Sequence, residues 1–439
     1  MKNNKYLISG ICVVCALAAC TPKVDDYFEQ TASARLKSNI DRTYQILRSA
    51  EYGWEFEYYP GEDLDYGGII YTVKFDSLTA AVSCSLVPDS VETTLYRMTN
   101  DNGPVLTFDS YNSLLHYYST PSSGEYQAKG GEFEFVVDSI ADDFVSLYGK
   151  KTRNAMCLRK LTSESKDYAT KTVGVFDHFV DSIRGTIGGV EVSGKCNPTN
   201  RTISLTVPSV FSGNASGNDT VNVHFAFTDK GIRLYRPLTL GGQKVQNFAF
   251  DQETKQLTCI DAGAESVQLE GIPYANDFMS YSMYEGDYSL VYTNGPADVS
   301  LIPNRLEGTY LLHGLSPKYD LKLHYDSSTG NLTLGSQQLG ERDGKSIYWV
   351  CFDYDQGFLS LIDEGQFTIQ WNKNRFYPVF NFRPTAPNIL NCTGGLLIYV
   401  YLGEDGNAKA DIVDDASWLT NGNAQFAAIK SLSKKSRIE

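Results

Sequence analysis

The sequence predicts a mainly β protein: an N-terminal helix, then an antiparallel lipocalin-like barrel or sandwich, then further β-rich modules. Most of the chain alternates apolar and polar residues in short runs that end at turn residues, as half-buried strands do. One stretch near the N-terminus instead repeats its apolar residues every three or four positions, which indicates a helix. A chain of 439 residues exceeds one ordinary core, so we expect two or three domains.

The first residues have the layout of an export signal. Lys2 and Lys5 precede a mostly apolar stretch that is too short to remain in a bilayer as a spanning helix. The Leu-Ala-Ala-Cys sequence that ends at Cys20 resembles a bacterial lipoprotein lipobox, which implies a signal peptide over 1–19 and acylation of the Cys20 thiol. Residues 20–30 would then be a lipidated tether to the membrane. The alternative is a plain signal peptide with a chance cysteine.

Residues 31–50 are predicted to form one helix. Leu36, Ile40, Tyr44 and Leu47 fall on one stripe, and the charged residues lie elsewhere. We expect this helix to pack on the first sheet. Binding of a partner protein is the alternative.

About eight short strands follow and complete the first domain, a helix plus an antiparallel β-domain over 31–161. Their number and spacing are typical of an antiparallel barrel or sandwich. The last hairpin, from Phe144 to Leu161, looks like the closing hairpin of lipocalin-like barrels. The positions predicted to share one face, opposite the neighbouring glutamates, are Trp54, Phe56, Tyr58, Phe133, Phe135 and Val137.

The remaining chain divides by composition. We predict a polar linker over 162–172, a second β-rich domain over 173–280, a third over 281–405 and a polar C-terminal tail over 406–439. A short helix is expected at the start of the second domain, from Val173 to Ile183.

Charge and cysteine usage restrict the partners and the chemistry. A net charge of -14 argues against nucleic acid and anionic lipid as partners. Six cysteines follow Cys20, too far apart in the sequence to form a zinc or redox motif. An exported protein can form disulfides, but the sequence does not pair these residues, and small buried hydrophobes are the alternative. They are Cys84, Cys157, Cys196, Cys259, Cys351 and Cys392.

The sequence contains no catalytic motif that we recognise, so no catalytic residue, metal ligand or cofactor is predicted. The five histidines lack the spacing of a zinc site, and no nucleophile elbow is present. A glycosidase pair of carboxylates is defined only by its separation in space, so the sequence cannot single one out. Exposed aromatic residues suit sugar or peptide binding, with burial in the core as the alternative. The candidates are Tyr111, Tyr117, Tyr118, Trp349 and Trp371.

Several motifs together resemble a Bacteroidetes surface-lipoprotein family of unknown function that is found beside SusC/SusD-type uptake systems. They include Tyr52-Gly53-Trp54, Gly67-Gly68 before a strand, Gly103-Pro104-Val105-Leu106-Thr107-Phe108-Asp109 and Gly131-Glu132-Phe133-Glu134-Phe135. The resemblance implies an accessory lipoprotein, anchored in the outer membrane at the cell surface, that assists a TonB-dependent transporter. It carries no catalytic residues to transfer.

A second resemblance concerns modification. An Asp followed by Ser or Thr and an aliphatic residue is similar to the O-glycosylation site of secreted Bacteroides proteins. The five candidate acceptors are Ser77, Ser90, Ser139, Ser182 and Thr220.

Three functional hypotheses remain open. The first is a non-catalytic surface lipoprotein that helps a SusC/SusD-type transporter capture a peptide or a glycan. The second is a surface hydrolase that feeds the same system, and the third is a structural or adhesive surface protein. A cleft with two carboxylates would favour the hydrolase, whereas an exposed aromatic patch would favour the binding protein.

Overall fold

The structure is a computed structural model that describes residues 31–101, 103–121, 126, 128–209, 217–274, 281–326, 329–360, 366–371, 379–384, 392–420 and 422–436. The predicted signal peptide, Cys20 and most of the tether lie outside the described residues. So does the side chain of Trp371. Among the described helices, none is long and apolar enough to cross a membrane.

The first barrel is a closed meander of eight strands, in which each strand pairs antiparallel with the next and β8 pairs with β1. Trp54, Phe56 and Tyr58 are fully buried, as their shared face predicts. The prediction of a mainly β fold with antiparallel barrels is therefore confirmed. The strands are β1 Trp54–Tyr58, β2 Ile69–Phe75, β3 Thr79–Cys84, β4 Val87–Asn100, β5 Pro104–Phe108, β6 Glu134–Ile140, β7 Phe144–Gly149 and β8 Ala155–Lys160.

The second barrel repeats this meander, and β16 pairs with β9 to close it. Burial alternates most clearly along β10 and β11, and β10 is buried at every second position. The strands are β9 Ser182–Ile187, β10 Val190–Asn197, β11 Thr202–Pro208, β12 Asn218–Phe227, β13 Gly231–Leu240, β14 Gln243–Phe250, β15 Gln256–Cys259 and β16 Gln268–Ile272.

The third barrel also has eight strands, but the chain leaves it twice to build a separate six-stranded sheet. The barrel strands are β17 Gly286–Val291, β18 Ala297–Asn304, β19 Thr309–His313, β20 Leu321–Asp326, β21 Asn331–Gly335, β25 Gln366–Trp371, β26 Val379–Pro384 and β30 Ser431–Lys434. The inserted sheet contains β22 Gln337–Arg342, β23 Lys345–Asp353, β24 Phe358–Ser360, β27 Gly394–Leu402, β28 Ala408–Ile412 and β29 Gln425–Phe426.

The described residues include three α-helices, one before each barrel: α1 Ala32–Arg48, α2 Ser165–His178 and the single turn α3 Tyr281–Tyr284. The hydroxyl of Thr31 accepts the amide of Ala34 at 3.2 Å and caps α1. At the other end, Leu47 is buried and its carbonyl accepts the indole N–H of Trp54 at 2.7 Å. The predicted N-terminal helix is thus present and packs on the first barrel.

Two predictions about polar segments were wrong. Helix α2 begins at Ser165, inside the predicted linker, and buries Tyr168, Ala169 and Thr172, residues that do not look apolar enough to indicate a helix. The predicted C-terminal tail contains three strands, and β30 pairs with both β17 and β26 to close the third barrel. These strands have only two to five residues each, too short to show a period of two.

Strand β1 is buried on both faces because the second barrel covers its outer side. Glu55 and Glu57 lie there under Arg233 of β13, whose Nη1 donates to Glu55 and, at 2.9 Å, to Glu57. Arg159 adds a second positive charge 3.8 Å from Glu57. Burial alone would lower the pKa of Arg233, but the two carboxylates raise it overall, so the guanidinium keeps its charge.

The Gly67-Gly68 motif lies at the same joint between the barrels. The amide of Gly68 donates to the carbonyl of Phe225 at 2.9 Å, and a Cβ at Gly68 would lie 2.6 Å from the Cβ of Ala226. Gly67 has a φ of +58°, and its backbone packs against the fully buried Arg201. Glycine is required here because two backbones approach each other closely.

Replacing Arg233 with Met should strongly destabilise the protein, because Glu55 and Glu57 would stay buried without their main partner. We expect a loss of about 3 kcal/mol in the free energy of unfolding, measured by urea denaturation with tryptophan fluorescence. Arg236→Met, at a nearby exposed site, is the control and should change little. The triple variant that adds Glu55→Gln and Glu57→Gln should recover part of the loss. A wild-type midpoint for Arg233→Met alone would contradict this explanation.

Candidate groove between the first and third barrels

A groove of about 540 Å³ lies where the first barrel meets the third. One wall is the segment between β5 and β6, and the other is the β18–β19 hairpin with β20. The walls are mostly apolar, and the charged side chains among their described residues are Lys129, Glu307 and Lys322. The groove therefore has one more positive than negative side chain in a protein whose overall charge is negative.

The first wall is shaped by Asn112, which is fully buried. Its Oδ1 accepts the amides of Leu114 and Leu115 at 3.1 and 3.0 Å, which turns the chain into a short 3-10 helix over His116–Tyr118. Leu115 and Tyr118 then insert into the core of the first barrel. This turn leaves Tyr111 on the rim of the groove and Tyr117 inside it.

The second wall is held by a buried ion pair outside the groove. Arg305, in the turn after β18, binds Asp177 of α2 through two hydrogen bonds of 2.7 Å. Burial would lower the pKa of Arg305, but Asp177 outweighs it and raises the pKa. This bidentate contact fixes the turn that carries Glu307.

At the centre of the groove, Glu307 meets the first barrel. The Tyr117 hydroxyl donates to Glu307, and Lys129 Nζ donates to that hydroxyl oxygen at 2.9 Å. Lys322 Nζ lies 2.5 Å from the other carboxylate oxygen of Glu307. Burial alone would raise the pKa of Glu307, but the hydrogen bonds from Lys322 and Tyr117 prevail and lower it.

Aromatic rings form a row along the rim. The ring centroids of Tyr111 and His116 are 5.5 Å apart, and those of His116 and Phe133 are 5.6 Å apart, with interplanar angles of 32° and 28°. Tyr111 is 68% exposed and Phe133 is 43% exposed. Such a row presents flat apolar faces to solvent beside the polar centre of the groove.

The structure separates the aromatic residues that the sequence offered as ligand contacts. Tyr111 and Tyr117 are in the groove. Tyr118 and Trp349 are wrong as candidates, because both are fully buried: Tyr118 packs on Tyr58 and Tyr66, and Trp349 packs on Phe426. A large aromatic residue in a strand pattern fits the core and a binding surface equally well.

Sequence reasoning missed much of the groove, and at Phe133 it predicted the wrong face. Strand β6 begins only at Glu134, so the alternation does not extend back to Phe133. Glu132 is buried instead and accepts the amide of Lys151 at 2.7 Å. The close approach of Gly131 to the backbone of Tyr118 fixes this arrangement. No sequence pattern singles out Lys129, Glu307 and Lys322, because these residues come together from distant segments of the chain.

A larger concave surface, of about 690 Å³, lies on the outside of the second barrel. Arg184 and Glu270 form an exposed bidentate pair there, with both hydrogen bonds at 2.8 Å. Its described lining contains no aromatic side chain, so it lacks the stacking surface of the groove. In the described parts of the chain, no three His, Cys, Asp or Glu residues are grouped so that they could hold a metal ion.

The five predicted O-glycosylation acceptors lie at or near the surface. Ser77, Ser139 and Thr220 are exposed, whereas Ser90 and Ser182 are half-buried. Their modification stays a prediction.

The fold and the groove define a class: a protein of three antiparallel barrels whose first and third barrels jointly form a ligand-sized groove. The chain belongs to the family described as domain of unknown function DUF4302, whose profile matches residues 24–252. Residues 260–397 match a second domain of unknown function, DUF4987. The two walls of the groove therefore come from two different matched regions. No curated protein matches the chain.

The contribution of Glu307 to stability should depend on pH. Because its pKa is lowered, its hydrogen bonds stabilise the fold above the pKa of the unfolded state, about 4.3, and are lost as the pH falls through the folded value. Glu307→Gln should cost about 2 kcal/mol at neutral pH and progressively less as the pH falls through the folded-state pKa of Glu307. Urea denaturation at several pH values measures this difference. Glu341→Gln, at an exposed position, is the control, and a pH-independent effect of Glu307→Gln would contradict the assignment.

Proposed function

We propose that this protein is a non-catalytic, lipid-anchored surface lipoprotein of the outer membrane that binds a peptide or glycan for a SusC/SusD-type, TonB-dependent uptake system. The observation that carries the binding part is the aromatic row of Tyr111, His116 and Phe133 beside the groove, in which the Tyr111 and Phe133 rings are exposed. Exposed rings stack on the apolar faces of sugars and on peptide side chains.

The groove supports binding for a second reason. Its polar centre is already ordered, because Tyr117 and Glu307 hold each other and are flanked by Lys129 and Lys322. A ligand that displaces none of these contacts can still receive hydrogen bonds from the two ammonium groups. Pre-ordered polar groups reduce the entropy lost on binding.

The hydrolase alternative gains no support from the described groove. Glu307 is the one carboxylate among its described lining residues, whereas glycoside hydrolysis usually needs two. The carboxylates of Glu55 and Glu57 lie close together, but Arg233 neutralises them and the second barrel buries them. They therefore stabilise the joint between barrels.

The cellular location in this proposal rests on the sequence. The basic and apolar segment that ends at Cys20 supports export and lipidation. The resemblance to surface lipoproteins that accompany SusC/SusD-type transporters supports the outer membrane and the partner. A binding groove on a tethered protein would raise the local concentration of nutrient at such a transporter.

Ligand binding can be tested on the purified mature chain with arrays of oligosaccharides and a peptide digest, followed by calorimetry on the best ligand. Tyr111→Ala combined with Phe133→Ala should weaken binding about 30-fold, since each of the two stacked rings contributes roughly 1 kcal/mol. Phe358→Ala removes a ring of comparable exposure in the inserted sheet and should leave affinity unchanged. Equal affinity of the groove variant and the wild type would exclude this row as the binding surface.

The location and the partner need a separate test in the native host. Mass spectrometry of the wild-type protein should find Cys20 acylated, and the protein should co-purify from outer membranes with a SusC/SusD-type transporter. Cys20→Ser should release the protein from the membrane fraction. An unacylated Cys20, or no transporter in the purified material under several growth substrates, would contradict this part of the proposal.

A further inference from the structure

Two cysteines meet where the inserted sheet joins the third barrel. Cys351 lies on β23 and Cys392 lies two residues before β27, and both are fully buried. Their side chains interact, and the Cys351 thiol donates a hydrogen bond to the carbonyl of Leu334 at 3.8 Å. The remaining four described cysteines lie in the first and second barrels, away from this pair.

The backbone around the pair is held on both strands. The amide of Thr393 donates to the carbonyl of Phe352 at 3.1 Å, and the amide of Tyr354 donates to the hydroxyl of Thr393 at 3.1 Å. The amide of Cys351 donates to the hydroxyl of Ser336 at 2.9 Å. These contacts hold the two cysteines in adjacent chain segments of the sheet.

The position of the pair in the topology also matters. After β23 and β24 the chain returns to the third barrel for β25 and β26, and it then leaves again to form β27. Cys351 thus lies before the segment that returns to the third barrel, and Cys392 lies after it. The two ends of this segment are adjacent, because β23 pairs with β27. A covalent bond there would restrict the unfolded chain, which is how a disulfide stabilises a fold.

We propose that Cys351 and Cys392 form a disulfide. The bond would join β23 to the segment before β27 and would close the loop that contains β24, β25 and β26.

The bond forms by exchange with a small-molecule or protein disulfide that acts as the oxidant. The Cys392 thiolate attacks one sulfur of the donor, and the first donor thiolate leaves. The Cys351 thiol then loses its proton and attacks the Cys392 sulfur, and the second donor thiolate leaves. Two cysteine protons end on the two donor sulfurs, so the donor disulfide is reduced as the protein disulfide forms.

The two thiols have different pKa values, and the difference suits this order of steps. The interaction with Cys351 lowers the pKa of Cys392, which favours its thiolate as the first nucleophile. The same contact and burial raise the pKa of Cys351. By contrast, burial raises the pKa of Cys84 to about 11 and that of Cys196 to about 12, so those thiols are unreactive.

Differential alkylation of the purified mature chain tests the proposal. The chain is refolded with oxidised glutathione, unfolded in guanidinium chloride, labelled with one maleimide, reduced, and labelled with a heavier maleimide. Peptide mass spectrometry should find the heavier label on Cys351 and Cys392, and the first label on Cys84, Cys157, Cys196 and Cys259. The first label on both Cys351 and Cys392, or a linked pair of other cysteines, would overturn the proposal.

A stability measurement provides a second readout. Dithiothreitol should lower the urea midpoint of the oxidised wild type but should not shift that of the Cys351→Ser/Cys392→Ser variant. Cys196→Ser/Cys259→Ser, the matched control, should respond to the reductant as the wild type does. If the first variant fails to fold, the alkylation of the wild type still decides the question. Glutathione serves as oxidant in both assays, so their outcome does not depend on the export and lipidation proposed above.

Discussion

The burial of Glu55 and Glu57 beneath Arg233 is the constraint on which the rest of the arrangement depends. Two carboxylates can leave water only where cations and hydroxyl groups replace it, and here Arg233 and the Tyr168 hydroxyl come from outside the first barrel. Tyr168 of α2 donates to Glu55 at 3.0 Å, so the helix is held to the same site. The first barrel, α2 and the second barrel therefore meet in one defined orientation.

This orientation continues to the groove. Helix α2 also carries Asp177, which binds Arg305 of the third barrel, and the turn after Arg305 brings Glu307 to Tyr117 of the first barrel. The polar contacts thus run from the first barrel through α2 to the third barrel and back. Buried ion pairs contribute little net stability but disfavour other arrangements strongly. We infer that their role is to keep the two walls of the groove in register.

The class of fold could be predicted from the sequence because alternation along Trp54, Phe56 and Tyr58 directly reports a barrel face. The contacts of the outer face could not be predicted, because Glu55 and Glu57 have the pattern of solvent-facing residues. Only the second barrel buries them. The site was predictable only in part. Tyr111 and Tyr117 lie in a local aromatic cluster, whereas Glu307 reaches them from a distant part of the sequence.

The closing strand of the third barrel has a consequence for biogenesis. Strand β17 can pair with β30 only after the whole inserted sheet between them has been synthesised. During that interval β17 and β26 are unpaired edges that can recruit strands from other chains. A frameshift that removes β30 would leave these edges unpaired and would yield an aggregation-prone product.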